Sequence, residues 1–381
     1  MRFPEFYGEW EKCKLWDIAT LTKGSGISKD QRSATGTPCI LYGELYTTYK
    51  SEVIDYVVSK TDISDKNLVR SCANDIIIPS SGETAIDIST ARCVLSPDVL
   101  LGGDLNIIRL KDGDGRFFSY QLNGVRKHDI AKIAQGVSVV HLYGESIKGL
   151  TVSFPSNKEQ QKISTLLSLI DERIATQSKV IEDLRKLKCA IIEKLYAEVK
   201  GTKYSYRQLF NIINERNKQL EYSNVLSASQ EKGMVSREDL NLDIQFERSN
   251  INTYKIVRNG DYVIHLRSFQ GGFAFSEKTG VCSPAYTILR PNGLLEYGYL
   301  SYYFTSREFI QSLIIVTYGI RDGRSINVEE WLDMKVVIPS KEQQTHVVNV
   351  IESIENKIEN EETYSNCLLN QKQYLLRQMF I

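Results

Sequence analysis

Residues able to do covalent chemistry are present in this chain, but none stand at a spacing that such chemistry needs. A phosphate-cradling G-x-x-x-x-G-K-[ST] loop is excluded because Gly-Lys never occurs as a dipeptide, and neither a G-x-S-x-G nucleophile elbow nor an H-E-x-x-H zinc motif is found. The four histidines, His128, His141, His265 and His346, are widely separated. Pro97-Asp98 has the form of the start of a nuclease carboxylate motif, yet no E-x-K triplet follows nearby; Glu355-Asn356-Lys357 reads as a charge pair on a helix surface. No Asn-Pro-Pro-Tyr or Asp-Pro-Pro-Tyr is present, which excludes the usual amino-methyltransferase site from this chain. The seven cysteines, Cys13, Cys39, Cys72, Cys93, Cys189, Cys282 and Cys367, are odd in number and show no C-x-x-C pair, so free thiols in a reducing compartment are expected rather than disulfides or a zinc site. The pattern is that of a binding or scaffolding protein.

What the sequence does build is a long amphipathic helix that appears twice. From Phe154-Pro155-Ser156-Asn157-Lys158-Glu159-Gln160-Gln161 a heptad stripe runs through Ile163, Leu167, Ile170, Ile174, Ile181, Leu184, Ile191 and Leu195. From Ile338-Pro339-Ser340-Lys341-Glu342-Gln343-Gln344 a second runs through Val347, Ile351, Ile354, Ile358, Leu368, Leu375 and Met379, and the two superpose at an offset of 184 residues. Each begins with a serine followed three residues later by Glu159 or Gln343, the pattern of a capping box. The Glu-Gln-Gln triplets align at 183 instead, a slip of one residue in the first turn. Gln177 and Glu361 fill equivalent core-facing positions, where a polar residue either fixes register or marks a point where helices splay. Internal duplication accounts for these coincidences together. Each rod would be roughly 65 Å long at 1.5 Å per residue, and pairing the two antiparallel buries both stripes at once.

Each helix follows a mixed α and β segment. In the first, Val53–Val58, Asp75–Ile78 and Leu105–Leu110 read as strands, and Phe117–Val125 and Ile130–Ala134 as short helices. In the second, Gly260–Ile264, Tyr286–Arg290 and Tyr299–Phe304 echo that order, with different loops between them. The expected fold class is therefore α+β, with two similar mixed α/β domains separated by two long helices that form an antiparallel coiled coil, in a pseudo-two-fold repeat. The expected boundaries are 1–155 for the first domain, 156–200 for the first spacer helix, 201–338 for the second domain and 339–381 for the second helix. A shared scaffold with divergent loops suits two related readers of different targets.

The chain of 381 residues has 47 Lys plus Arg and 47 Asp plus Glu, which argues against holding nucleic acid by bulk charge. Any such binding must use local cations or a partner that supplies more. No stretch is long and apolar enough for a membrane span, and no signal peptide is expected, which points to the cytoplasm.

Two variable domains, each closed by a hydrophobic-Pro-x-x-x-Glu-Gln-Gln-like start of a long helix, resemble the specificity (S) subunit of type I restriction-modification enzymes. The resemblance is most specific at Phe154–Gln161 with Ile163 and at Ile338–Gln344. Asp75–Ile78 and Gly319-Ile320-Arg321-Asp322-Gly323-Arg324 add support, while the first half departs from the latter with Gly136–His141. The resemblance implies a non-catalytic subunit in which each unit is a target recognition domain reading one half of a bipartite site in double-stranded DNA. It also implies two methyltransferase (M) subunits that bring S-adenosylmethionine, and restriction (R) motor-nuclease subunits that use ATP and Mg²⁺, with no cofactor or metal on this chain. Base reading needs loop residues that reach groove edges. The candidates are Lys23, Ser25, Lys29, Arg32 and Arg92 in the first unit and Arg216, Lys218, Arg267, Gln270, Arg321 and Arg324 in the second. Two other readings of the same sequence are a bivalent protein- or glycan-binding adaptor with a coiled-coil spacer, and a nuclease with an unrecognised site.

Overall fold

Asp75–Pro79, five consecutive buried residues, form the middle strand of the first unit, and their alternation explains its layers. Ile76 and Ile78 turn to one face, where they join Phe117, Phe118, Tyr120 and Leu122. Ile77 turns to the other, where it joins Ile40, Leu45, Ile54, Val94 and Leu101. A strand whose successive side chains point to opposite faces must be apolar throughout when both faces are covered. The structure is a computed structural model describing residues 2–63, 67–229, 232–237, 248–265, 272–318 and 325–380, which divide into a unit of residues 1–179 with 362–381 and a unit of residues 180–361.

In the first unit the sheet runs in the order Ala19–Lys23, Leu105–Leu110, Asp75–Pro79, Arg92–Val94, Val53–Ile54, antiparallel except for the last pair. The sequence suggests a strand over Val53–Val58, but only Val53 and Ile54 pair; Asp55 and Tyr56 are exposed, and the chain leaves the edge of the sheet there. Glu11–Lys14 pairs antiparallel with Thr151–Phe154, tying the beginning of the unit to the residues just ahead of the first long helix, Asn157–Ala197.

The second unit repeats this plan. Phe210–Ile213, Thr287–Pro291, Tyr262–Ile264 and Phe273–Phe275 form an antiparallel sheet in that order. Tyr262 and Ile264 face one core and Val263 the other. Thr202–Ser205 pairs with Lys335–Ile338 just before the second long helix, Lys341–Gln378.

Each unit is completed by parts of both long helices. In the first, Ile163, Leu167 and Ile170 pack in one cluster with Leu375 and with Met379 and Phe380 just past the end of the second helix. In the second, Ile192 and Tyr196 pack with Val347, Val348 and Ile351. The start of one helix thus meets the end of the other in both places, which is antiparallel pairing. Among the other stripe residues, Ile358 and Leu368 are buried, while Ile174, Ile181, Leu184, Ile191, Leu195 and Ile354 are partly buried. The deepest contacts of the first helix in the second unit come from Ile192 and Tyr196, one position on from the heptad letters, because a straight helix drifts against a seven-residue repeat.

The helix starts also resolve the one-residue slip. Gln160 Oε1 accepts from Asp114 N at 3.0 Å, and its Nε2 donates to Pro155 O at 2.8 Å. Gln344 Oε1 accepts from Glu296 N at 2.8 Å, and its Nε2 donates to Pro339 O and Leu294 O, both at 3.0 Å. Gln160 and Gln344 are related by the same 184-residue offset as the stripes, so the bond that pins each helix to its unit keeps register although the letters around it do not. The capping-box expectation is corrected in the first copy: Glu159 is buried against Arg2, in a two-point ion pair with both bonds at 2.7 Å. In the second copy Ser340 Oγ accepts from Gln343 N at 3.4 Å.

Candidate nucleic-acid interface

The cationic candidates of the first unit emerge where the strand Ala19–Lys23 ends. Lys23 lies opposite Asn106 in the ladder and is exposed. The chain then turns closely past the neighbouring loop: Gly24 N donates to Leu105 O at 3.0 Å, and a Cβ at Gly24 would stand 1.9 Å from Gly102 O. Only glycine fits such an approach. Ser25 anchors the turn, since its Oγ accepts from Val69 N at 2.8 Å and its own N donates to Leu101 O at 3.0 Å.

Beyond this anchor, Lys29 and Arg32 come together on the wall of a cleft of about 790 Å³, across from Tyr42, Tyr46, Thr47 and Asp104. Arg32 is steered by Glu44, with Nη1 at 3.5 Å from Oε1. Glu44 is itself buried, accepting from Leu41 N at 2.9 Å and from the Ser59 hydroxyl. The cleft therefore offers two cations, phenols, hydroxyls and a carboxylate edge, the donor and acceptor types that discriminate base edges.

Arg92 does not belong with these residues. Its side chain is only 7% exposed and donates to Leu45 O (3.2 Å), Tyr49 O (3.0 Å) and Ala91 O (3.3 Å). Burial lowers its pKa, against the opposing pull of Glu52 and Asp171. It is a cation built into the core of the first unit.

In the second unit Arg216 and Lys218 are exposed on the loop after Phe210–Ile213. Between them Asn217, 1% exposed, holds the loop through its N to Tyr254 O at 2.9 Å and its Nδ2 to Tyr222 O at 2.7 Å. Beside it Lys255 donates to Tyr286 O at 2.7 Å, and burial, with Arg216 nearby, lowers its pKa. Arg267, Gln270, Arg321 and Arg324 lie outside the described residues. The last two fall between the paired segments Thr317–Tyr318 and Ser325–Ile326.

Two matched devices escaped the sequence reading. Asp75 receives a two-point ion pair from Arg109 (2.8 and 2.7 Å) and accepts from Cys72 N at 2.7 Å. Asp261 receives the same from Arg290 (2.8 Å twice) and accepts from Arg258 N at 2.8 Å. The signal was present as an acidic residue opening an apolar strand in both halves, with an arginine near the end of the neighbouring strand. The second device joins the helices. Lys372 is held by Asp171 at 2.6 Å and by Glu52, while the Tyr120 hydroxyl donates to Asp171 at 2.7 Å. Lys188 donates to Glu355 at 3.1 Å while Tyr302 donates to Glu355 at 2.7 Å. Lys188 and Lys372, like Asp171 and Glu355, are 184 residues apart.

Residues 7–186 match the family described as type I restriction modification DNA specificity domain. The match covers a little under half of the chain. A protein of Methanocaldococcus jannaschii named for the specificity subunit of the type I restriction enzyme MjaX is 26% identical over 202 residues, covering 50% of this chain and 46% of the relative. The chain thus spans about half the length of that curated relative. In fold, it resembles the crystal structure of the type I restriction-modification system S subunit from M. genitalium, with a TM-score of 0.58 at 16% identity over 100% of this chain and 99% of the other. It also resembles a chain from a structural study of complex assembly and conformational transition of the type I R-M system, with a TM-score of 0.62 at 13% identity over 98% and 97% of the two chains. Both likenesses are of fold, that of two mixed α/β units with paired long helices. All seven cysteines are free. Among the described residues no group of three or more His, Cys, Asp or Glu is arranged to hold a metal, and no helix is long and apolar enough to cross a membrane.

Proposed function

We propose that this chain is the non-catalytic DNA sequence-specificity subunit of a type I restriction-modification enzyme, working in the cytoplasm. Each unit reads one half of a bipartite duplex site, and the paired helices set the unread gap and dock two methyltransferase subunits. S-adenosylmethionine for adenine N6 methylation, and ATP and Mg²⁺ for motor and nuclease subunits, reside on those partners. The observation that carries this reading is a scaffold repeated down to individual side chains, with Gln160 and Gln344 or Asp75 and Asp261 making the same bonds, under loops of unlike composition. The neutral net charge fits a subunit that grips DNA together with partners.

The test is binding of the chain with its methyltransferase subunits to duplexes carrying the intact site, either half alone, or both halves with the gap changed. Tight, salt-sensitive binding to the intact site with loss in every other duplex is expected. Salt-independent binding, or equal affinity for all duplexes, would instead support an adaptor that recognises proteins or glycans.

A further inference from the structure

The hairpin ahead of the first long helix carries an apolar tip that the core does not use. Val137 is 96% exposed and Val139 52%. The tip is nevertheless rigidly built. Gln135 N donates to His141 O at 2.9 Å and His141 N to Gln135 O at 2.7 Å, closing the loop reciprocally. Gly136 sits at φ +125°, and a Cβ there would meet Val139 O at 2.1 Å, so the turn requires glycine. The base of the hairpin is fastened to the sheet: Val140 and His141 pair with Gly82 and Ser81, Leu142 N donates to Ser80 O at 2.9 Å, and Asn106 Nδ2 donates to Leu142 O at 2.9 Å.

Asn106 is the ladder partner of Lys23, and Ser80 N donates to the backbone of Asp104, which lines the Lys29 and Arg32 cleft. The valine tip therefore belongs to the same end of the sheet as the cations of the proposed DNA-reading surface. Lys132, exposed on the short helix Lys127–Ile133 leading into the hairpin, adds another cation. One valine and part of a second present far less area than the roughly 800 Å² per partner of a stable protein interface. Their size and apolar character suit the other use of exposed apolar side chains in a DNA reader, insertion between base steps from the minor groove.

We propose that Val137, supported by Val139, is a wedge that enters a base step of the half-site read by the first unit and unstacks it, adding sequence preference through deformability at that step. This rests on the DNA-specificity reading above. Pyrimidine–purine steps, which unstack most readily, would be favoured there.

The experiment uses the full chain with its methyltransferase subunits and duplexes in which 2-aminopurine replaces one base at a time in each half-site. Fluorescence should rise on binding at one step of the first-unit half away from the adenine that the methyltransferase takes out of the stack. Val137→Ser should abolish that rise and weaken cognate binding about tenfold, the loss expected on removing one buried apolar side chain, while Val137→Ile keeps both. No fluorescence change in a parent complex that binds its split site, or an unchanged signal in Val137→Ser, overturns the wedge and leaves the specificity reading intact. Reduced recovery of methyltransferase subunits with Val137→Ser makes the tip a protein contact and also overturns it. A parent complex that shows no preference for any split site removes the specificity reading itself.

Discussion

The lysine, acid and tyrosine that join the long helices occur in both units but work at different depths. In the first, the Lys372 and Asp171 side chains are 11% and 8% exposed, and Glu52 and Arg92 from the globular part complete the cluster. In the second, Lys188 and Glu355 are 28% and 39% exposed. Duplication kept the contact and its register, while the surrounding unit decided whether it became a buried network or a surface pair. Because a buried charge that loses its partner costs far more than an exposed one, the same chemical change should have unequal consequences in the two copies.

The largest effect is expected from Lys372→Met, which removes the cation paired directly with buried Glu52 and Asp171. It should destabilise the first unit by about 3–5 kcal/mol, read by urea unfolding together with hydrogen exchange of that unit's amides. A loss below 1 kcal/mol would mean that water reaches the cluster. The lysine also has a pH signature. Burial works against its charge, but Glu52 and then Asp171 outweigh burial and hold its pKa above the ordinary lysine value. Its stabilisation is therefore fully present below about pH 10.4, the ordinary lysine value, and is lost as pH rises through the higher folded value. Alkaline titration should show the first unit losing stability in that window, and Lys372→Met should remove the dependence.

Smaller and equal effects are expected where the copies agree. Asp75→Ala and Asp261→Ala each remove a two-point arginine pair and a backbone acceptor, and each should cost about 2–3 kcal/mol. A difference of more than twofold between them would show that the shared geometry hides unlike surroundings. Gln160→Leu orphans a buried backbone donor, Asp114 N, and Gln344→Leu a part-buried one, Glu296 N, at about 1–3 kcal/mol apiece. The smallest effect belongs to Lys188→Met, at about 0–1 kcal/mol, and a loss as large as that of Lys372→Met would erase the contrast between the units.

The sequence made the scaffold legible because scaffolds are periodic. Heptad stripes, a 184-residue offset and Asp75-Ile76-Ile77-Ile78 all survive reading in one dimension. Partners that come from distant segments do not. Glu159 turned to Arg2 rather than to its own helix start, and nothing near Glu159 in the chain signals that. Residue type alone makes Arg92 a candidate groove cation, but its neighbours Ala91, Cys93 and Val94 are apolar core residues, and its own strand, Arg92–Val94, is buried throughout. Lys372 stands four residues after Leu368 on the stripe face, and a charge at such a position was the clue to the buried network. The candidate interface was legible as a loop, Lys23 to Arg32, but not as a cleft, since Tyr42, Tyr46 and Asp104 reach it only through folding.

Each unit is proposed to read its own half of a split DNA site. This division of labour is tested most directly by mapping N6-methyladenine across a genome in cells that express this chain with its methyltransferase, and again after the segment from 201 to 338 is exchanged for that of a relative. The expected result is a bipartite motif in which the exchange changes one half and leaves the other half and the gap as they were. A continuous motif, or an exchange that alters both halves together, would contradict it.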